Sequence, residues 1–124
     1  HDSAMFACRQ EMMWHIAKLL NEKYGEGTVT LTMKEQYRNM KEMIEPCMHL
    51  IDNAKKAVQQ SGLNPETVAI RGGTDGARLS FMGLPCPNLG TGGYAFHGPC
   101  EHITVEGMDY AVENLKNIVK LYAY

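Results

Sequence analysis

The sequence predicts an α/β layer from residue 46 onward, preceded by the closing part of an incomplete α+β unit. Three observations carry this. Apolar periodicity alternates helix, strand, helix, strand, helix over the later two thirds, the pattern of strands covered by helices. Residues 28–33 alternate strictly, Val29, Leu31 and Met33 against Thr28, Thr30 and Thr32, as in a strand with one wet face. Glycine pairs at Gly72-Gly73 and Gly92-Gly93 punctuate the apolar stretches.

The elements follow in order. Ser3 is the predicted cap of a helix running to about Tyr24, with Phe6, Met13, Ala17, Leu20 and Tyr24 on one stripe. Gly25 and Gly27 end it. The strand at 28–33 follows. One helix and one strand cannot bury a core, so this third is expected to be the end of a unit that begins elsewhere. Residues 34–45 are polar and mixed in charge, which reads as a solvated connector or hinge. After Pro46 a helix presents Cys47, Leu50, Ile51, Ala54, Ala57 and Val58, and Gly62 stops it. Val68, Ala69 and Ile70 read as a short apolar strand. The first glycine pair breaks it, and Thr74 or Asp75 caps a short helix through Ser80 and Phe81. Residues 88–91 read as another extended run. A last helix starts at a Thr104 cap, with Met108, Ala111, Val112, Leu115, Ile118, Val119 and Tyr122 as its inner face.

Composition narrows the classes of function. With 44% hydrophobic and 21% charged residues, the chain is of the soluble globular type. A net charge of −2 offers no electrostatic footprint for nucleic acid. No apolar run approaches spanning length, so no membrane partner is expected. Cys8, Cys47, Cys86 and Cys100 form no Cys-x-x-Cys pair, and scattered thiols beside nine methionines point to a reducing cytoplasm. The chain opens on His1, as an excerpt or a processed product would.

Two stretches bear chemistry. In Arg71-Gly72-Gly73-Thr74-Asp75-Gly76, a strand meets a glycine turn and a helix start. Backbone N–H groups there can cradle an anion, and Arg71 can add a bidentate contact to a carboxylate or phosphate. It is neither a Walker loop nor a dinucleotide fingerprint. A plain tight turn with a solvated arginine has the same spacing. In Gly92-Gly93-Tyr94-Ala95-Phe96-His97-Gly98, His97 sits in a glycine-bounded loop, where a histidine can ligate a metal, move a proton or serve structure. Asp75 and Glu101 are nearby acids that no spacing rule selects. A catalytic zinc needs about three protein ligands, more than these residues supply. A non-catalytic module binding anions or peptides through the Arg71 turn is therefore an alternative to an enzyme, and a scaffold that dimerises through its first helix is a third reading.

The stretch RGGTDGARLSFMGLPCPNLGTGGYAFHG resembles the cocatalytic dizinc metallopeptidase family, and within it the aminotripeptidases. GTVTLTMKEQYRNM before it and HITVEGMDYAVE after it carry the same resemblance, which runs nearly end to end. Members of this family pair an α/β catalytic domain with a smaller α+β lid. The resemblance implies that residues 1–38 are the last helix and strand of the lid, and residues 39–124 the C-terminal segment of the catalytic domain. It implies two zinc ions per complete site, activating a water for hydrolysis of the first peptide bond of a tripeptide. His97 matches a zinc ligand of the family. Arg71 matches a residue that contacts the substrate, with Gly72, Gly73 and Thr74 lining the same pocket. The other ligands and the general base, a glutamate, lie upstream in the family and have no match here, so this chain alone is expected to be inactive. Its exposed strand edges, at 28–33 or 68–70, are expected to drive self-association or swapping between copies.

Overall fold

The computed structural model describes residues 2–70 and 72–123. The order of elements is α1 (Ser3–Tyr24), α2 (Lys41–Ile44) running into a 3-10 turn (Glu45–Cys47), α3 (His49–Gln60), α4 (Asp75–Phe81), β1 (Gly93–Tyr94), β2 (His102–Ile103) and α5 (Val105–Tyr122). Helix dominates. The one ladder among the described residues is the antiparallel pair β1–β2, with Gly93 opposite Ile103 and Tyr94 opposite His102.

All four helical predictions hold, with shifts at the caps. Asp2, not Ser3, caps α1: its Oδ1 accepts the Met5 N–H at 2.8 Å, one residue before the predicted position. Thr74 caps α4 through its hydroxyl, which accepts from Ala77 at 3.3 Å. Thr104 caps α5 in the same way, accepting from Gly107 at 3.0 Å. Each of these side chains occupies one of the orphan donors of a first helical turn.

The predicted strands at 28–33, 68–70 and 88–91 form no ladder. A strand is defined by its partner, and none of these segments finds one among the described residues. Residues 28–33 nevertheless keep the predicted alternation, with Val29, Leu31 and Met33 half-buried and the three threonines exposed. Asn21 of α1 stands in for a neighbouring strand. Its side-chain amide donates to the Val29 carbonyl at 2.9 Å and accepts the Val29 N–H at 2.8 Å, the reciprocal pair an antiparallel neighbour would make. Val68 is 70% exposed.

The principal contact between elements is α3 on α5, where Ala57 is fully buried. A polar lock runs through it. The Ser61 hydroxyl donates to Asn114 Oδ1 at 2.7 Å and accepts from the Asn117 amide at 3.2 Å, and Asn117 also donates to the Ala57 carbonyl at 3.4 Å. The packed side of α5 is therefore Ala111, Asn114, Asn117, Ile118 and Leu121. Met108, Val112, Leu115, Val119 and Tyr122, predicted as inner, face away and stay exposed. Helix α1 shows the same thing: of its predicted stripe only Ala17 is buried, and Phe6, Met13 and Tyr24 are exposed. A compact monomer of 13.9 kDa would expose about 6,700 Å² by the size scaling of folded proteins, whereas this chain exposes 10009 Å². The buried apolar residues, Ala17, Ile44, Ala57 and Ala77, are mostly small. The chain thus carries helices with two apolar faces and covers one of them.

Candidate functional site

The glycine turn before α4 is held from behind by packing. Gly72 takes φ 106°, a backbone that other L-residues rarely adopt. Gly73 is pressed against the ring of Tyr37, and a β-carbon at Gly73 would fall inside that ring. Tyr37 belongs to the connector, so the connector and the turn are one packed unit. Helix α4 is anchored by Ser80, which is 1% exposed. Its hydroxyl donates to the Gly76 carbonyl at 2.7 Å and accepts the Cys86 N–H at 2.9 Å, tying the 86–88 segment to the helix. Gly76 admits that segment: a β-carbon there would stand 2.6 Å from the Cys86 carbonyl oxygen. Thr74 is committed to its cap, where its hydroxyl occupies the Ala77 N–H. Arg71 lies outside the described residues. Arg38, the chain neighbour of Tyr37, is engaged elsewhere. Its guanidinium pairs with Glu35 at 2.6 Å, which raises its pKa, and lies over the Phe81 ring at 5.9 Å.

His97 occupies the loop of the β1–β2 hairpin, residues 95–101. Tyr94 and His102 close the base of the hairpin as a stacked pair, with centroids 5.4 Å apart and planes 20° from parallel. The loop turns through two left-handed residues, Ala95 at φ 53° and His97 at φ 64°. Histidine tolerates this region better than most side chains. The Gly98 N–H returns to the Ala95 carbonyl at 3.2 Å, and the Glu101 N–H to the Gly98 carbonyl at 3.1 Å. The His97 N–H donates to Glu101 Oε2 at 3.2 Å. The hairpin rests on α5 through a glycine contact: a β-carbon on Gly107 would stand 3.1 Å from the Gly92 carbonyl oxygen.

The His97 imidazole is exposed, and neither ring nitrogen has a hydrogen-bond partner among the described residues. A neutral imidazole in that state is a free donor for zinc. Among the described residues, no group of three His, Cys, Asp or Glu side chains could hold a metal ion, so His97 is a single donor. No hydrogen bond or ion pair among the described residues joins the glycine turn to the hairpin. Two shallow surface grooves lie elsewhere. One is lined by α1 residues such as Trp14 and Asn21 with Val29 and Leu31, the other by Ser61 and the acidic edge Glu106, Asp109 and Glu113. Sequence reasoning missed the role of Tyr37 against Gly73, and it named Glu101 without reason to choose it. A carboxylate four residues after a loop histidine, within reach of its N–H, is the signal that selects Glu101.

The chain is 60% identical to peptidase T of Clostridium perfringens over 122 residues, 98% of its own length. It is 53% identical to peptidase T of Caldanaerobacter subterraneus over 121 residues, and 50% identical to that of Alkaliphilus oremlandii over 123. In each case it spans 30% of the relative's length. No family model matches. The chain is a homologue of peptidase T, over one part of that protein.

Proposed function

We propose that this chain is part of a zinc-dependent, cytoplasmic aminotripeptidase that removes the N-terminal residue from tripeptides. The observation that carries the reading is the homology to peptidase T across 98% of the chain. The uncovered second faces of α1 and α5 support it, since they are what remains when the rest of a larger fold is taken away. Residues 1–38 then belong to a lid and residues 39–124 to the catalytic domain.

Two bound zinc ions would supply Lewis acidity and a water acidified toward neutrality. This chain's own part is to bind and orient. His97 offers a ring nitrogen from a hairpin loop whose backbone is fixed by local hydrogen bonds, so the donor direction is set before the metal arrives. Arg71 holds a carboxylate of the substrate with its planar fork. Gly72 and Gly73 follow it in the chain, and the Tyr37 ring covers one side of Gly73. The remaining ligands and the general base come from other parts of the polypeptide.

The test is His97→Ala in the complete enzyme. Loss of a ligand strips zinc from each chain and collapses kcat while the melting temperature barely moves, because an exposed loop side chain carries little packing. Full zinc content with near-normal activity would end the assignment. A loss of about 1 kcal/mol in stability with metal content unchanged would point to a structural role instead.

A further inference from the structure

The hairpin contains a carboxylate whose place the ligand reading of His97 does not by itself explain. Glu101 is exposed, forms no ion pair among the described residues, and places Oε2 3.2 Å from the His97 main-chain N–H. That N–H belongs to a residue in the left-handed region, φ 64°, two residues after another at φ 53°. A short chain of bonds closes the loop: Gly98 N–H to Ala95, Glu101 N–H to Gly98, and the Glu101 side chain back to His97. His102, next in sequence, is fixed by its stack on Tyr94 and by its Nδ1 lying 2.8 Å from the Cys100 carbonyl oxygen. The carboxylate is thus delivered from a residue anchored at the base of the hairpin to the amide of the residue at its tip.

We propose that Glu101 is a positioning residue for His97: its carboxylate accepts the His97 main-chain N–H, holds the left-handed turn, and so aims the imidazole before metal arrives. The proposal rests on the reading of His97 as a zinc ligand. An acceptor four residues on reaches back across the loop, as the N3 glutamate of a capping box reaches back to the N-cap N–H. Charge is not what the contact requires. An N–H is bonded by any well-placed oxygen, so an amide oxygen at the same position serves. Metal-ligating residues depend on such outer partners, whose loss typically costs 10–100-fold in metal affinity.

The experiment compares Glu101→Ala, Glu101→Gln and His97→Ala in the complete enzyme. Zinc affinity is read by competition with a chelator, and the exchange rate of the His97 amide by NMR in the metal-free protein. Glu101→Ala is expected to weaken the zinc that His97→Ala removes by about 10–100-fold and to speed exchange of the His97 amide. Glu101→Gln is expected to stay within about threefold of the unmodified enzyme in both readouts, because its amide oxygen still accepts. Unchanged zinc affinity in Glu101→Ala, beside a clear loss in His97→Ala, overturns the positioning role and leaves the ligand reading standing. Equal losses in Glu101→Gln and Glu101→Ala overturn it in favour of a charge effect. Undiminished zinc affinity in His97→Ala removes the ligand reading itself, and the proposal with it.

Discussion

Gly73→Ala isolates the contact that joins the connector to the glycine turn. The backbone at Gly73 does not lie in the left-handed region, so alanine meets no torsional barrier there. Reduced freedom of the unfolded chain would even favour alanine by about 0.4–1 kcal/mol. Against this stands Tyr37, whose ring occupies the space a β-carbon needs. Tyr37 is 42% exposed, so nearly three-fifths of it is covered. An aromatic side chain that buries 150–250 Å² in full hides about 90–145 Å² at that fraction. At about 25 cal/mol per Å² this burial, against all its neighbours together, is worth roughly 2–3.5 kcal/mol as an upper bound. Displacing the ring forfeits most of that, so packing wins, and Gly73→Ala is expected to destabilise by about 1–3 kcal/mol. Tyr37→Ala should cost a similar amount. On the Tyr37→Ala background, Gly73→Ala should become neutral or stabilising, because the obstacle has gone. Urea unfolding of the two single variants, the double variant and the unmodified enzyme closes the cycle. Costs that add to within about 0.5 kcal/mol would refute the contact.

Three further outcomes are expected. The 124-residue chain alone, supplied with zinc, should release no amine from trialanine, and turnover on the order of 1–1000 per second would overturn the division of the site between this chain and the rest of the polypeptide. In the complete enzyme Arg71→Lys should lose substrate affinity although the charge is kept, because a point charge cannot replace a bidentate fork; steady-state kinetics matching the unmodified enzyme would reject the clamp. The isolated chain should self-associate through its uncovered apolar faces, and light scattering showing a strict monomer over a wide concentration range would count against that.

Helices were legible in the sequence because their signals are local. The caps at Thr74 and Thr104 and the stop at Gly62 lie within a few residues of what they control. Strands depend on residues far away in the chain or outside it. The 28–33 segment shows this most clearly: the alternation survives in its burial, but no strand pairs with it among the described residues, and one asparagine fills a single rung. The face of α5 was misread for a related reason. Hydropathy selected the stripe through Val112, Leu115 and Val119, whereas the contact with α3 is built on alanine, asparagine and serine. At the two glycine stretches the close approach of backbone was legible, since Gly73 meets Tyr37 and Gly92 meets Gly107. The partners that fix them were not. Tyr37 reaches Gly73 across 36 residues, and Glu101 acts through a backbone amide that no side-chain pattern reveals.

The asparagine–serine lock between α3 and α5 has a mechanical meaning. An apolar seam of small residues lets two helices slide, because one alanine is much like another. A directional hydrogen bond does not permit this, which is how a single buried asparagine sets the register of a coiled coil. Asn117 lies ten residues along α5 from Gly107, about 15 Å at the helical rise. Gly107 in turn seats the Gly92 end of the hairpin that carries His97. A slip of one turn at the lock would carry the hairpin about 5.4 Å along the helix axis, farther than any metal–nitrogen bond can stretch. On the proposed reading of His97, the lock is the fixed end of a rod whose free end seats the histidine's hairpin.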